Sequence, residues 1–194
     1  MPTKRASGAA PGNKKAADKK AADKKATDKR AADKRPAKNS AARSGGRLFE
    51  VRRSSVHGRG GFALQTITRG TRVVEYTGEK INWKEVWRRY PDDDAEGEQN
   101  HTFLFEIDDK YVRDANHGGN SSRWINHSCN PNCIVVGEDD RIFIEARRTI
   151  KPGEELNYDY NIQLEERHTP AVKRRYLCRC GARGCRGTLL GKKR

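Results

Sequence analysis

R-W-I-N-H-S-C-N-P-N-C, residues 123–133, packs an imidazole, three amides, two thiols and a proline into eleven positions. So dense a polar run makes a poor core strand. Buried His, Asn and Cys need partners, and clusters of them usually serve a site. Pro131 prevents a continuing helix and biases Asn130 toward extended backbone. The expectation is a strand or short helical turn that ends in a rigid polar loop.

Short strands surround this stretch. Downstream, Ile134–Val136 and Arg141–Ala146 read as a hairpin across Gly137–Asp140. Lys151–Glu155 is a turn, and Leu156-Asn157-Tyr158-Asp159-Tyr160 a short aromatic strand. Upstream, Leu48–Arg52 alternates like a half-exposed strand. It leads into a glycine-rich turn at 54–63 whose G-R-G-G spacing is no dinucleotide fingerprint. Ile67–Thr71 is a turn and Arg72–Tyr76 a strand ending at Thr77-Gly78-Glu79.

One helix is expected, from Asn82 to Pro91. Asn82 with Glu85 makes an N-terminal cap and reciprocal acid, and Trp83, Val86, Trp87 and Tyr90 form one core-facing stripe. Asp92–Asp94, with Glu96 and Glu98, forms an acidic loop. Thr102–Ile107 and Lys110–Val112 pair around Asp108-Asp109. Many short strands with a single helix predict a mainly β domain.

The net charge of +15 is unevenly spread: residues 1–47 hold fifteen Lys or Arg against four Asp, a net of +11, which leaves +4 for the rest. Residues 16–35 repeat a pentad four times, AADKK, AADKK, ATDKR and AADKR, with nothing larger than Ala to bury. A period of five spirals around a helix rather than forming one face. Residues 1–46 are therefore expected to be a disordered basic arm, read functionally as a nucleic-acid contact through released counterions and otherwise as a solubilising tail or a targeting signal. No apolar run approaches the ~18 residues of a bilayer span, and the start has no secretory apolar region. No membrane partner is expected. With an odd count of five Cys, three of them inside residues 178–185, reduced thiols and an intracellular setting are expected.

C-R-C-G-A-R-G-C (178–185) brings three thiolates onto glycine-rich backbone, where they can wrap one Zn²⁺. A closed site needs a fourth ligand, and the remaining cysteines are Cys129 and Cys133 in the opening stretch. The residues thus predict a zinc stitch between that loop and the tail. His127 or His168 as fourth ligand, and free or disulfide-linked thiols, are the competing readings.

The order G-R-G-G-F-A, E-Y-T-G-E, R-W-I-N-H-S-C-N-P-N-C, G-E-E-L-N-Y-D-Y and C-R-C-G-A-R-G-C-R-G resembles the SET-domain protein lysine methyltransferases with a post-SET zinc tail, over residues 48–190. The resemblance implies small curled β-sheets with a pseudoknot-like threaded C-terminal segment, an exception to unknotted topology. It implies a SET domain at 47–162 and a post-SET segment at 163–194. It also implies a reaction, methyl transfer from S-adenosylmethionine to a protein lysine, with mono- to dimethylation because Tyr158 stands where Phe would leave more room.

The roles carried over by this resemblance are as follows. His57, Gly58, Arg59 and Gly60 match the turn that holds S-adenosylmethionine, and Asn126 and His127 contact it largely through backbone. Arg123 and Arg179 also match cofactor positions, the latter closing over the adenine. Phe103 stands where relatives often carry a cofactor-facing Tyr. Tyr76 and Tyr158 wall the lysine channel and Tyr160 is the catalytic tyrosine. Cys129, Cys178, Cys180 and Cys185 match the zinc ligands, leaving Cys133 as a small core residue. The implied substrate is a histone or histone-like lysine-rich protein, with the arm's pentads as sites of automethylation. The setting would be cytoplasm or nucleoid in a bacterium and nucleus or chromosome in a eukaryote. A catalytically weak SET-like binding module tethered to DNA by the arm is the alternative.

Overall fold

Five residues on each side of one glycine-rich turn begin the described domain: β2 (Phe49–Arg53) pairs antiparallel with β3 (Arg59–Ala63). The computed structural model describes residues 4–5, 46–90, 103–164 and 166–192. The rest of the expected arm and the acidic loop at 92–98 lie outside the described residues. A two-residue strand, β1 (Lys4–Arg5), precedes β2.

The strands then follow as short pieces, as the turn-rich sequence predicts. β4 (Arg72–Glu75), β9 (Cys133–Glu138) and β10 (Arg141–Ala146) make an antiparallel sheet in the order β4-β10-β9. The β9–β10 turn is tighter than predicted: Asp139 and Asp140, with φ of +46° and +63°, form it, while Gly137 stays in β9. Two consecutive left-handed residues match the twist of a two-residue hairpin, and Asp tolerates that conformation. β5 (Glu79–Asn82), β6 (Leu104–Glu106) and β7 (Tyr111–Asp114) form a second sheet with β1, in the order β1-β6-β7-β5.

The predicted helix is α1 (Trp83–Arg89), and Asn82 Oδ1 accepts from the Glu85 N–H at 2.9 Å. Two expectations about it are corrected. The Glu85 carboxylate does not close a reciprocal cap; Arg88 and Arg89 take it, at 2.6 Å each. Trp87 does not face the core, since it is 52% exposed. Val86, with Trp83 and Tyr90 beside it, packs on Ile81, Leu104 and Val112. A second helix, α2 (Pro170–Arg175), was not expected. Thr169 caps it, Pro170 opens it, and Val172 and Tyr176 pack on Ile162 and Leu190.

The opening stretch folds as read: a 3-10 turn (Ser121–Trp124), then β8 (Asn126–His127), then a polar loop into β9. β8 pairs in parallel with β11 (Asn157–Tyr158), Asn126 opposite Asn157 and His127 opposite Tyr158. The predicted five-residue strand at 156–160 thus shrinks to two. Asn132, 2% exposed, secures the crossing. Its Oδ1 accepts from the Asn157 N–H (2.9 Å), its Nδ2 donates to the Glu155 carbonyl (2.8 Å), and its own N–H donates to Asn157 Oδ1 (3.0 Å). The main core lies directly around this pair, with Tyr76, Phe105, Ile125, Ile144, Leu156 and Tyr158 buried in it. Small sheets, few helices and this crossing make the mainly β architecture that the sequence predicts.

Asn132→Ala orphans the Asn157 N–H, at a cost of about 1–3 kcal/mol, while the Glu155 carbonyl keeps the bond from Asn157 Nδ2 at 3.1 Å. Urea unfolding should show a loss of about 1–3 kcal/mol, and a negligible change would mean the loop does not depend on this clasp.

Candidate functional site

Three tyrosines from two segments of the chain meet at the core. Tyr76 follows β4, Tyr158 lies in β11 and Tyr160 two residues beyond. The rings of Tyr158 and Tyr160 are 5.0 Å apart, and Phe105 bridges Tyr158 (6.2 Å) to Tyr76 (5.2 Å). Tyr160 Oη donates to the Ile125 carbonyl at 3.0 Å and Tyr76 Oη to the Phe103 carbonyl at 2.9 Å. Desolvation is the first cause that pushes all three phenols above their usual range, helped by their mutual charge at Tyr76 and Tyr158 and by Glu155 at Tyr160. They are donors at neutral pH, and none is a phenolate base.

The turn at His57–Gly60 is exposed on its outer side and tied down on its inner side. Asn126 Nδ2 donates to the carbonyls of His57 (3.3 Å) and Arg59 (2.9 Å) and to Glu155 Oε1 (2.8 Å). Ser54 Oγ donates to the same carboxylate at 2.7 Å. Gly60 is required for this approach, because a Cβ there would collide with the Glu155 carboxylate. Arg59 and Arg123 flank the Trp124 ring at 5.2 and 5.0 Å, and Phe103 meets its edge at 5.1 Å. Phe103 holds φ of +43°, a strained value for a non-glycine residue, kept there by the bonds its carbonyl accepts from Tyr76 and the Ala115 N–H.

The four sulfurs of Cys129, Cys178, Cys180 and Cys185 lie within 4.8 Å of one another and can hold one metal ion. Sulfur separations of 3.7 Å (Cys129–Cys178) and 3.8 Å (Cys129–Cys185) are far beyond the ~2.05 Å of a disulfide. Backbone N–H groups converge on them, from Arg186 to Cys129 (3.4 Å), Gly187 to Cys185 (3.4 Å) and Cys129 to Cys180 (3.5 Å). At Cys180 partial burial works against ionisation. The Cys129 and Ala182 amides and the neighbouring thiols outweigh it and bring the thiol down to about 6. Cys178 moves the other way, through burial first and then its thiol neighbours. Crowded thiols share protons unequally until a cation allows all four to ionise, and an all-thiolate tetrahedral set suits Zn²⁺. Cys133 is fully buried in β9, and desolvation pushes its thiol up to about 12. It is the small core residue expected.

His127 joins the sulfur cluster to the tyrosines. Its Nδ1 accepts from the Tyr160 N–H at 3.0 Å, so Nε2 carries the proton and faces Cys129 Sγ at 3.3 Å. Neither His127 nor His168 belongs to the sulfur cluster.

The structure therefore gathers Tyr76, Tyr158 and Tyr160, ties His57–Gly60 to Asn126, and groups Arg59, Arg123 and Phe103 around Trp124. Arg179 is exposed beside the sulfur cluster, and among the described residues no hydrogen bond or ion pair ties it to the glycine turn. Three contributors escaped the sequence. Glu155 reads as a turn acid, Asn132 as part of a rigid loop, and Arg186 as one more tail cation. Yet Arg186 grips Asp159 with two bonds, 2.6 and 2.7 Å, fastening the tail to the tyrosine segment. The Arg-Gly after the last cysteine was the available signal.

A family model described as SET domain matches residues 58–161. The chain is 38% identical over 141 residues to histone-lysine N-methyltransferase SETD1 of Drosophila melanogaster, covering 71% of the chain and 8% of that protein. It is 40% identical over 140 residues to histone-lysine N-methyltransferase 2B of Homo sapiens, covering 70% and 5%. With the histone-lysine N-methyltransferase of Mycosarcoma maydis named as H3 lysine-4 specific, identity is 36% over 138 residues, 69% and 9%. The match thus spans less than a tenth of each of these relatives' length.

Cys129→Ser should abolish the metal stoichiometry measured by elemental analysis of the purified protein. Cys133→Ser should keep the metal and lose about 1–3 kcal/mol in urea unfolding, the cost of a buried unpaired hydroxyl. Equal metal loss in both would identify Cys133 as a ligand.

Proposed function

The chain belongs to the SET-domain family, and we propose that it is a protein-lysine N-methyltransferase that uses S-adenosylmethionine. Its proposed acceptor is a lysine of a histone or histone-like, DNA-associated protein, one or two methyls are added, and residues 1–46 contact DNA. The observation that carries the reading is the trio of buried Tyr76 and Tyr158 with half-buried Tyr160, all protonated, reached from the His57–Gly60 turn through Asn126.

The turn fits an adenosyl cofactor. Gly58 has φ of +45° and a Cβ built on it meets nothing within 4 Å, so open backbone faces outward there, with the Arg59–Trp124–Arg123 stack and Phe103 beside it. His57, Gly58, Arg59, Gly60, Asn126 and His127 would hold the group, with Phe103, Arg123 and Arg179 around it. Bound, it supplies an electrophilic methyl on a sulfonium. Zn²⁺ on the four cysteines would keep the tail against the tyrosine segment.

What remains is the work of the chain's own residues. An amine nucleophile must be neutral, whereas free Lys has a pKa of about 10.4. A dry channel beside a sulfonium disfavours the ammonium form, so the amine can lose its proton without a strong base. That suits a site whose phenols stay protonated. Tyr160, fixed through its hydroxyl on Ile125 and its N–H on His127, holds the approach geometry on which an in-line displacement depends. Tyr76 and Tyr158 supply aromatic faces for the cationic product. The Tyr158 hydroxyl occupies space that a bulkier, more methylated amine would need.

Labelled cofactor with core histones tests the proposal. Tyr160→Phe should transfer about 10²–10³-fold more slowly, the scale of one lost oriented donor. No label above that variant would overturn the enzyme reading in favour of a binding module. Tyr158→Phe should shift mass-resolved products toward di- and trimethyl-lysine; an unchanged distribution would remove Tyr158 as the limiter.

A further inference from the structure

The outer rim of the four-stranded sheet is covered by the chain itself. β6 has β7 on one side and, on the other, β1, running parallel with Lys4 opposite Phe105 and Arg5 opposite Glu106. Leu104, Phe105 and Glu106 are all buried, so β6 is a core strand whose outer backbone edge would be open without β1. Such an edge offers a row of N–H and C=O groups to an extended peptide. This one adjoins the site, because the Phe105 ring lies 5.2 Å from Tyr76 and 6.2 Å from Tyr158. The residue paired with Phe105 thus sits one strand spacing, about 4.8 Å, from the residue that bridges two of the three tyrosines. In this chain that residue is a lysine. The register also sets Arg5 opposite Glu106.

We propose that the N-terminal segment lies on this edge as a substrate in cis and that Lys4 is a site of self-methylation, an inference that rests on the methyltransferase reading above. In the step, the lone pair of the neutral Lys4 amine forms an N–C bond as the methyl–sulfur bond breaks. The sulfur keeps that electron pair and leaves as the thioether S-adenosylhomocysteine. The proton went to solvent when the Lys4 ammonium became the neutral amine, and the product leaves as the methylated ammonium. The 43 residues between Arg5 and Phe49 could extend to roughly 140 Å, so the tether does not limit the return. The assignment favours Lys4 over the pentad lysines expected from composition, because the register singles out that residue. A segment held there also occupies the edge that an outside peptide must use, so the chain competes with its own substrates.

Three proteins test this: the full chain, Lys4→Met, and a chain lacking residues 2–8. Hydrogen exchange, read without cofactor, should show 104–106 protected in the first two and exchanging at least tenfold faster in the third. With S-adenosylmethionine, peptide mapping after cleavage before Asp18 should find the methyl on Lys4, at a rate unchanged by tenfold dilution. The shortened chain should methylate added histone severalfold faster than the full chain. Equal exchange in all three overturns the docking. Docking with Lys4 unmodified, while histone is methylated, overturns the assignment alone. Transfer to neither acceptor overturns the enzyme reading together with it, and the exchange data still report the strand.

Discussion

A neutral imidazole joins the two halves of the site. His127 accepts the Tyr160 N–H on Nδ1 and offers Nε2–H to Cys129 Sγ, and it is nearly fully buried. Asp159 Oδ1 also lies 3.5 Å from Nδ1, a pairing that would require a charged ring. The shorter amide bond decides the tautomer, because a nitrogen that accepts an N–H cannot also carry a proton. Asp159 is held by Arg186 in any case. Its carboxyl sits below its usual range although burial resists ionisation, because Arg186 and the Asn161 N–H outweigh that resistance. The tail and the tyrosines are thus linked twice, through His127 and through Arg186–Asp159.

That double link explains why so polar a stretch is tolerated at the core. Asn126, His127, Ser128 and Asn132 are all buried. Left unpaired they would be costly, but Asn126 spends its amide on the glycine turn and Glu155, and Asn132 spends both ends on 155–157. A satisfied polar network specifies one arrangement more narrowly than an apolar core of equal volume, since each partner is directional. Here the arrangement it specifies is the separation between glycine turn and tyrosines, on which the proposed methyl transfer would depend.

Much of this was legible in the sequence where one residue type admits few uses. Three cysteines within eight residues have little to do except bind metal, and the hairpin of β9 and β10 follows from apolar runs around an acidic turn. Spacing alone could not choose between Cys129 and Cys133. The register decides it, since Cys133 pairs with Ala146 inside β9 and turns into the core. Long-range polar contacts were not legible at all. Glu155 matters through Ser54 and Asn126, which are 101 and 29 residues away, and no local pattern marks that. β5 carries a single apolar residue, Ile81, among polar neighbours, so alternation could not reveal it. Trp87 was assigned to the core because it shares a helical stripe, but a helix of seven residues meets its sheet over about two turns, and Val86 fills that contact.

Charge balance ties the sulfur cluster to the same design. Four thiolates around one divalent ion would leave a net charge of about −2, to be met locally if the cluster is to sit against an apolar core. Backbone N–H groups from Arg186, Gly187 and Cys129 provide part of that compensation. The cationic residues between and after the cysteines, Arg179, Arg183 and Arg186, provide long-range charge of the right sign. Of these, Arg186 serves both ends: its N–H meets Cys129 Sγ and its guanidinium meets Asp159, one residue from each of Tyr158 and Tyr160. Arg is suited to this where Lys is not, because a planar fork grips a carboxylate in one orientation. The order of the last motif, C-R-C-G-A-R-G-C-R-G, is therefore more than ligand spacing. It places a rigid cation one residue beyond the final sulfur, where it holds the tail in register with the strand that presents the tyrosines.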